Sequence, residues 1–301
     1  MARLVSILAV LCSTFLAAPA QAQQNPLKLI PTCHWGPQSN PNKLELQVYE
    51  PKNIAVKPAV ILALHFCGGT GPLYSSTTKY NQLADSKGFV VLYPSSQKDN
   101  NCWDVASVKT LTHEGGGDST SLASMVKWAV RTYNADPAKV FVTGTSSGCM
   151  MSNVMVATYP DLFAAMSCYS GVSAGCLAGS PGSSPQTADP TCANGQNTKT
   201  GSEWAALARS MRPDYTGFYP RIQTFHGDAD FFVHYANLNE QLKQWSTIHA
   251  VSFTGNQTNT PQNGYTKMVY GDGTKLVGYS AKGVGHVVPA QEQTDMEWFG
   301  L

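Results

Sequence analysis

Short apolar runs alternate with helix-period segments along this chain, and that alternation narrows the choice of fold more than any other feature. The runs "AVILALH" (59–65), "GFVVLYP" (88–94), "KVFVTGT" (139–145), "FAAMSCYSG" (163–171), "RIQTFHG" (221–227) and "KLVGYSA" (275–281) are bounded by Gly, Pro and Ser. Such runs fit buried strands of a mostly parallel sheet. "KLELQVYEP" (43–51) alternates apolar and polar residues instead, as a half-buried strand does. Between the runs, "SLASMVKWAVRTY" (121–133) sets Leu122, Met125, Val126 and Ala129 on one helical face. "GCMMSNVMVATY" (148–159) is apolar almost all round, which predicts a deeply buried helix. "EWAALARSM" (203–211) and "YANLNEQLKQW" (235–245) are further helix candidates. The alternation predicts a doubly wound α/β sheet. A chain of 301 residues, 43% hydrophobic and 13% charged, can bury one large core, so a single domain over residues 23–301 is expected.

Charge excludes some functions. With 20 Lys+Arg against 19 Asp+Glu the net charge is +1, so no basic field invites nucleic acid and no charge run makes an interaction tail. Residues 1–22 read as a secretory signal peptide: Arg3 supplies the positive end, "LVSILAVLCSTFLAA" the apolar core and Ala20-Gln21-Ala22 the cleavage site. The apolar run is short for a membrane span, and no later segment is long enough, so no membrane partner is expected. The location implied is extracellular, where disulfides form. After loss of Cys12 the chain keeps Cys33, Cys67, Cys102, Cys149, Cys168, Cys176 and Cys192, an odd number that leaves at least one thiol over within a chain. No Cys-x-x-Cys pair or His/Cys cluster suggests a metal. Asn256-Gln257-Thr258 is the one glycosylation sequon.

Residues 171–200 have no periodicity and are rich in Gly, Ser and Pro. The alternation resumes after them, and Cys176 and Cys192 lie near their ends. They are expected to form an insertion loop over the sheet, closed by a disulfide. No Ser/Thr-rich tail or appended carbohydrate-binding module is expected after "EWFGL".

One turn carries the chemistry. Gly144-Thr145-Ser146-Ser147-Gly148 joins the strand "KVFVT" to the buried helix, the context in which G-x-S-x-G presents a nucleophilic serine. A serine needs a base, an acid to orient that base, and donors for the oxyanion. α/β-hydrolases order these as Ser, acid, His. His286, the last of seven histidines, follows the final strand run in "GVGHVVP". "FHGDADFFV" offers Asp228 and Asp230 after the run at 221–227, and spacing does not separate them. His226, at the strand end, reads as a structural, hydrogen-bonded residue. Ser147 would give one oxyanion N–H, and "LHFCGGTG" (64–71) the other, from Cys67 or Phe66. His65 reads as a brace for that loop. Cys67 is a candidate for a disulfide to Cys102. Trp103, Phe66 and Tyr74 are candidate pocket aromatics. No cofactor is needed by such a site.

The stretches "HFCGGTG", "NNCWDV", "LTHEGGGDS", "VTGTSSGCMMSNV", "YPDLFAA", "YSGVSAGC", "HGDADFFV", "NTPQNGYTKMVYGDG" and "GVGHVVP" resemble the secreted fungal esterases that cleave acyl groups from plant-wall xylan. That group contains feruloyl esterases and acetylxylan esterases. The resemblance runs from about Leu44 to the C-terminus. It implies the α/β-hydrolase fold, Asp230 rather than Asp228 as the acid beside Ser146 and His286, Cys67 and Ser147 as oxyanion donors, and disulfides Cys67–Cys102 and Cys176–Cys192. Cys33, Cys149 and Cys168 are extra. Cys149 opens the nucleophile helix and Cys168 sits near the end of the next strand, so both are expected at the top of the sheet, where they could pair. Acetylxylan members tend to carry a Trp before the cysteine matching Cys192, whereas this chain has Pro190 in "TADPTC". A missing indole leaves room for a flat phenolic acyl group, so the expected substrates are feruloylated oligosaccharides or plant cell-wall xylan. Acetylxylan esterase, polyester depolymerase and a non-catalytic wall-binding protein are the alternatives.

Overall fold

Successive residues of a strand point to opposite faces, and here both faces are covered. The structure, a computed structural model, describes residues 25–36 and 40–301; the leader read over residues 1–22 lies outside them. The strands are β1 (Lys28–Ile30), β2 (Glu45–Tyr49), β3 (Val60–Leu64), β4 (Val90–Ser95), β5 (Val140–Thr145), β6 (Ala165–Tyr169), β7 (Arg221–Gly227), β8 (Phe253–Thr258), β9 (Tyr265–Tyr270) and β10 (Leu276–Ala281). The helices are α1 (Thr32–Trp35), α2 (Gly71–Thr77), α3 (Tyr80–Lys87), α4 (Asp118–Thr132), α5 (Ser147–Thr158), α6 (Pro190–Ala193), α7 (Gly201–Ser210), α8 (Ala236–His249) and α9 (Glu292–Phe299).

One sheet runs β1-β2-β4-β3-β5-β6-β7-β10-β9-β8. The six strands from β4 to β10 are parallel, and antiparallel strands extend both edges. Val60, Leu62, Leu64, Val140, Val142 and Met166 face the helices α4, α5, α7 and α8. Ile61, Ala63, Phe141 and Ala165 face α2, α3 and α9, where Phe141 stacks on Phe299 at 4.5 Å. α5 packs on β5 and β6 beneath α4 and α7, so every one of its residues is buried. That burial explains its all-round apolar sequence. α7 starts with a reciprocal cap between Thr200 and Glu203.

The hairpin β8–β9 was not legible from periodicity. β8 is almost wholly exposed, so no buried face imposed an alternating pattern on it. Asn256 lies exposed in the middle of this edge strand. Residues 171–200 do form an irregular insertion, and Cys176–Cys192 closes it. Cys67–Cys102 and Cys149–Cys168 are also paired, which leaves Cys33 as the exposed free thiol among the described residues. No described helix is long and apolar enough to cross a membrane.

Candidate active site

β5 runs up to Ser146, and α5 begins at the next residue. Ser146 has φ 56° and ψ −119°, a backbone shape that strains any residue bearing a Cβ. Crowding explains the flanking glycines. A Cβ on Gly144 would lie 2.4 Å from the carbonyl carbon of Gly148, and one on Gly148 would lie 2.1 Å from Leu64 O. The Ser146 N–H donates to Tyr169 O at 2.8 Å, tying the turn to the end of β6. The Cys149–Cys168 disulfide makes a second tie between the same two elements.

β7 and β10 are parallel neighbours, so the loops that follow them leave the same end of the sheet. Asp230 lies on the first loop and His286 on the second. His286 Nδ1 is 2.8 Å from Asp230 Oδ2, and His286 Nε2 is 2.8 Å from Ser146 Oγ. A carboxylate only accepts, so Nδ1–H donates to Asp230 and Nε2 is left to accept the serine proton. Asp230 Oδ1 accepts from the N–H groups of Phe232 and Val233, both at 2.9 Å. Burial opposes its charge. The donors His226, His286 and Val233 N–H outweigh that and hold its carboxyl well below the usual carboxylate range. Asp228, the other sequence candidate, has a different partner: its Oδ1 accepts from Gly283 N–H at 2.6 Å and clamps the two loops together.

The N–H groups of Cys67 and Ser147 donate to no other protein group among the described residues. The Cys67 loop is held rigidly. Gly68 N–H donates to Asn100 O at 2.7 Å, and Cys67–Cys102 crosslinks the same two loops. His65 braces it from within the core. Its Nε2 accepts from Ser96 N–H at 3.0 Å, so Nδ1–H donates to Phe66 O at 2.8 Å. Burial pushes its pKa down to about 4, so the ring stays neutral above that.

Above Ser146 and His286 opens a cavity of about 400 Å³. Its apolar wall includes Phe66, Met150, Val172, Leu177, Phe232 and Val287. The insertion supplies Leu177 and, beyond it, Pro185 and Ala188. Asp99 fastens that insertion by accepting from the N–H groups of Ser183 (2.7 Å) and Ser184 (2.9 Å).

Three expected pocket residues belong elsewhere. Trp103 is fully buried: its indole N–H donates to His65 O at 2.8 Å and its backbone N–H to Ser147 Oγ at 2.9 Å. It supports the turn from inside the core. Tyr74 is buried on the α2 side, its hydroxyl 3.0 Å from Thr145 Oγ1. Pro190 is exposed at the start of α6, whose Cys192 and Ala193 reach the cavity instead. Phe232 was missed by the sequence reading. It is 62% exposed, its ring 5.7 Å from that of His286, with the 71% exposed Phe231 beside it. The Phe-Phe pair directly after Asp230 was the available signal.

The family described as "Esterase PHB depolymerase" matches residues 44–252. A feruloyl esterase B of Talaromyces funiculosus is 48% identical over 262 residues, covering 87% of this chain and 74% of that one. An acetylxylan esterase A of Aspergillus oryzae is 42% identical, covering 95% of each chain. The solved acetyl xylan esterase from Aspergillus awamori superposes with a TM-score of 0.86 at 43% identity, over 92% of this chain and 99% of that one.

Proposed function

The chain belongs to the esterase PHB depolymerase family and is a carboxylic ester hydrolase of the α/β-hydrolase fold, and from that premise we propose that it releases ferulic and related hydroxycinnamic acids from plant cell-wall arabinoxylan. The observation that carries this reading is the cavity of about 400 Å³ over Ser146, walled by Phe66, Leu177, Phe232 and Val287. A flat phenolic acyl group can fill such a slot, whereas an acetyl group would leave most of it empty.

In this reading Ser146 attacks the ester carbonyl as His286 Nε2 takes its proton. The N–H groups of Cys67 and Ser147 receive the oxyanion, and each such donor is worth about 2.7–4 kcal/mol of barrier. His286 then protonates the leaving sugar oxygen. Water, deprotonated by His286, releases the acid and restores the serine. Asp230 keeps the imidazole in the required tautomer and stabilises its charged form. The enzyme works outside the cell. The three disulfides and the exposed sequon at Asn256 suit that location.

Removal of acetyl groups from xylan is the second reading. It is favoured by the relatives named for that activity. Methyl ferulate and acetylated xylan, each offered to the wild type and to Ser146→Ala, separate the two. Ferulate release by the wild type alone is expected. Acetate without ferulate would establish the second reading, and equal turnover by Ser146→Ala would dismiss the triad.

A further inference from the structure

His226 lies in β7, outside the three residues assigned to the reaction, and its side chain is fully buried. Its Nε2 is 2.7 Å from Val233 O and 3.2 Å from Asp230 Oδ2. A carbonyl oxygen can only accept, so Nε2 carries the proton. Nδ1 is buried and has no partner among the described residues.

Val233 connects this imidazole to the acid a second time. Its N–H donates to Asp230 Oδ1 at 2.9 Å while its carbonyl accepts from His226. Val233 and the imidazole therefore reach the two oxygens of the carboxylate between them, Val233 at Oδ1 and His226 at Oδ2. His286 meets Oδ2, the same oxygen that His226 approaches.

We propose that His226 is a positioning residue for the reaction: its Nε2–H fixes the Asp230 turn through Val233 O and fixes the Oδ2 that orients His286. This rests on the triad reading given above. Without His226, Asp230 is held by its Oδ1 anchors and by His286 itself, so its Oδ2 is placed less exactly against the imidazole it orients. The carboxylate also loses a nearby positive N–H edge, holds its charge less dispersed, and draws the His286 proton more strongly. The surroundings are simple. Tyr235 at the start of α8 presents its ring 6.1 Å from that of His226, and Asp228 is engaged with Gly283 N–H. No described lysine or arginine forms an ion pair with Asp230.

The test uses the full-length protein with His226→Met and His226→Gln, methyl ferulate as substrate, and a phosphonate ester to titrate competent sites. Methionine fills the volume but donates nothing, while the glutamine amide can donate to both oxygens. Per competent site, His226→Met is expected to lose about tenfold to a hundredfold in kcat, the scale of one hydrogen bond to a charged group, with KM little changed. The acid limb of its kcat/KM profile moves to higher pH. His226→Gln restores both within about threefold. Should the methionine variant fail to fold, His226→Asn, whose amide is too short to span both acceptors, is expected to show the same upward move. An unmoved acid limb in the variants lacking the donor, or equal losses with Met and Gln, would overturn the inference and leave the triad standing. Activity in Ser146→Ala would instead overturn the triad itself.

Discussion

Replacing Gly148 by alanine tests how the serine turn and the oxyanion loop are joined. A Cβ at 148 would stand 2.1 Å from Leu64 O, 2.6 Å from Leu64 C and 2.8 Å from His65 O. Ordinary contact begins at 3.4 Å, so the start of α5 and the end of β3 must part by about 1.3 Å, the difference between that distance and the shortest approach. All three obstructing atoms are backbone, so no side-chain rotation relieves the clash. Ser147 precedes the substituted residue, and Leu64 and His65 lead to Cys67, so the two proposed oxyanion donors are driven apart. A misplacement of about 1 Å in a catalytic group lowers the rate about a hundredfold. Overpacking of this kind removes about 1–3 kcal/mol of stability, or about 2–4 °C of melting temperature for each kcal/mol in a chain of this size. The assay is kcat on methyl ferulate together with a melting curve. Gly255→Ala serves as the control, because a Cβ there meets nothing within 4 Å. A Gly148→Ala enzyme with wild-type kcat and melting temperature would refute the reasoning.

Three other outcomes follow from the same coordinates. Converting Cys176 and Cys192 to serine opens a crosslink between residues 16 apart and should lower unfolding free energy by about 3 kcal/mol in chemical denaturation. It should also raise KM for methyl ferulate, because Leu177 and Ala188 lose their support; an unchanged KM would mean that the insertion holds itself. Phe232→Ala should raise KM for methyl ferulate about tenfold and leave a small acetyl ester unaffected, whereas equal losses on both would remove Phe232 from the acyl wall. Burial, assisted by the nearby Asp104 charge, pushes the Asp118 carboxyl up to about 7. That lies above its unfolded value of about 3.9, so its contribution is full below about pH 4 and is lost as pH rises through about 7. Asp118→Asn should flatten that part of the stability–pH curve, and a wild-type curve already flat between pH 4 and 7 would contradict this.

The sequence revealed the central sheet because both faces of its strands are covered, which forces continuous apolar runs. It concealed β8, where exposure imposes no pattern. At the site, Ser146 stood out because a strand, a Gly-flanked turn and a buried helix left a joint signature. Asp228 and Asp230 could not be told apart by spacing, since both fall on one loop; they differ in where each carboxylate points, to Gly283 N–H or to His286. Aromatic content misled most. Trp103 and Tyr74 carry polar atoms whose partners lie within the core, so they turn inward. Phe232 has no such partner; its backbone N–H caps Asp230, and that contact leaves the ring facing outward.

The proposed reactive groups and much of the cavity wall hang from different supports. Ser146, Asp230, His286 and Cys67 follow the ends of four strands, whereas Leu177, Pro185 and Ala188 ride on a segment held by one disulfide, the Asp99 carboxylate and hydrogen bonds to Val105, Ala106 and Asn237. Drift in that segment leaves the register of the sheet untouched. An edit to that one stapled excursion would therefore reshape the cavity while leaving the strand ends that carry Ser146, Asp230, His286 and Cys67 as they are.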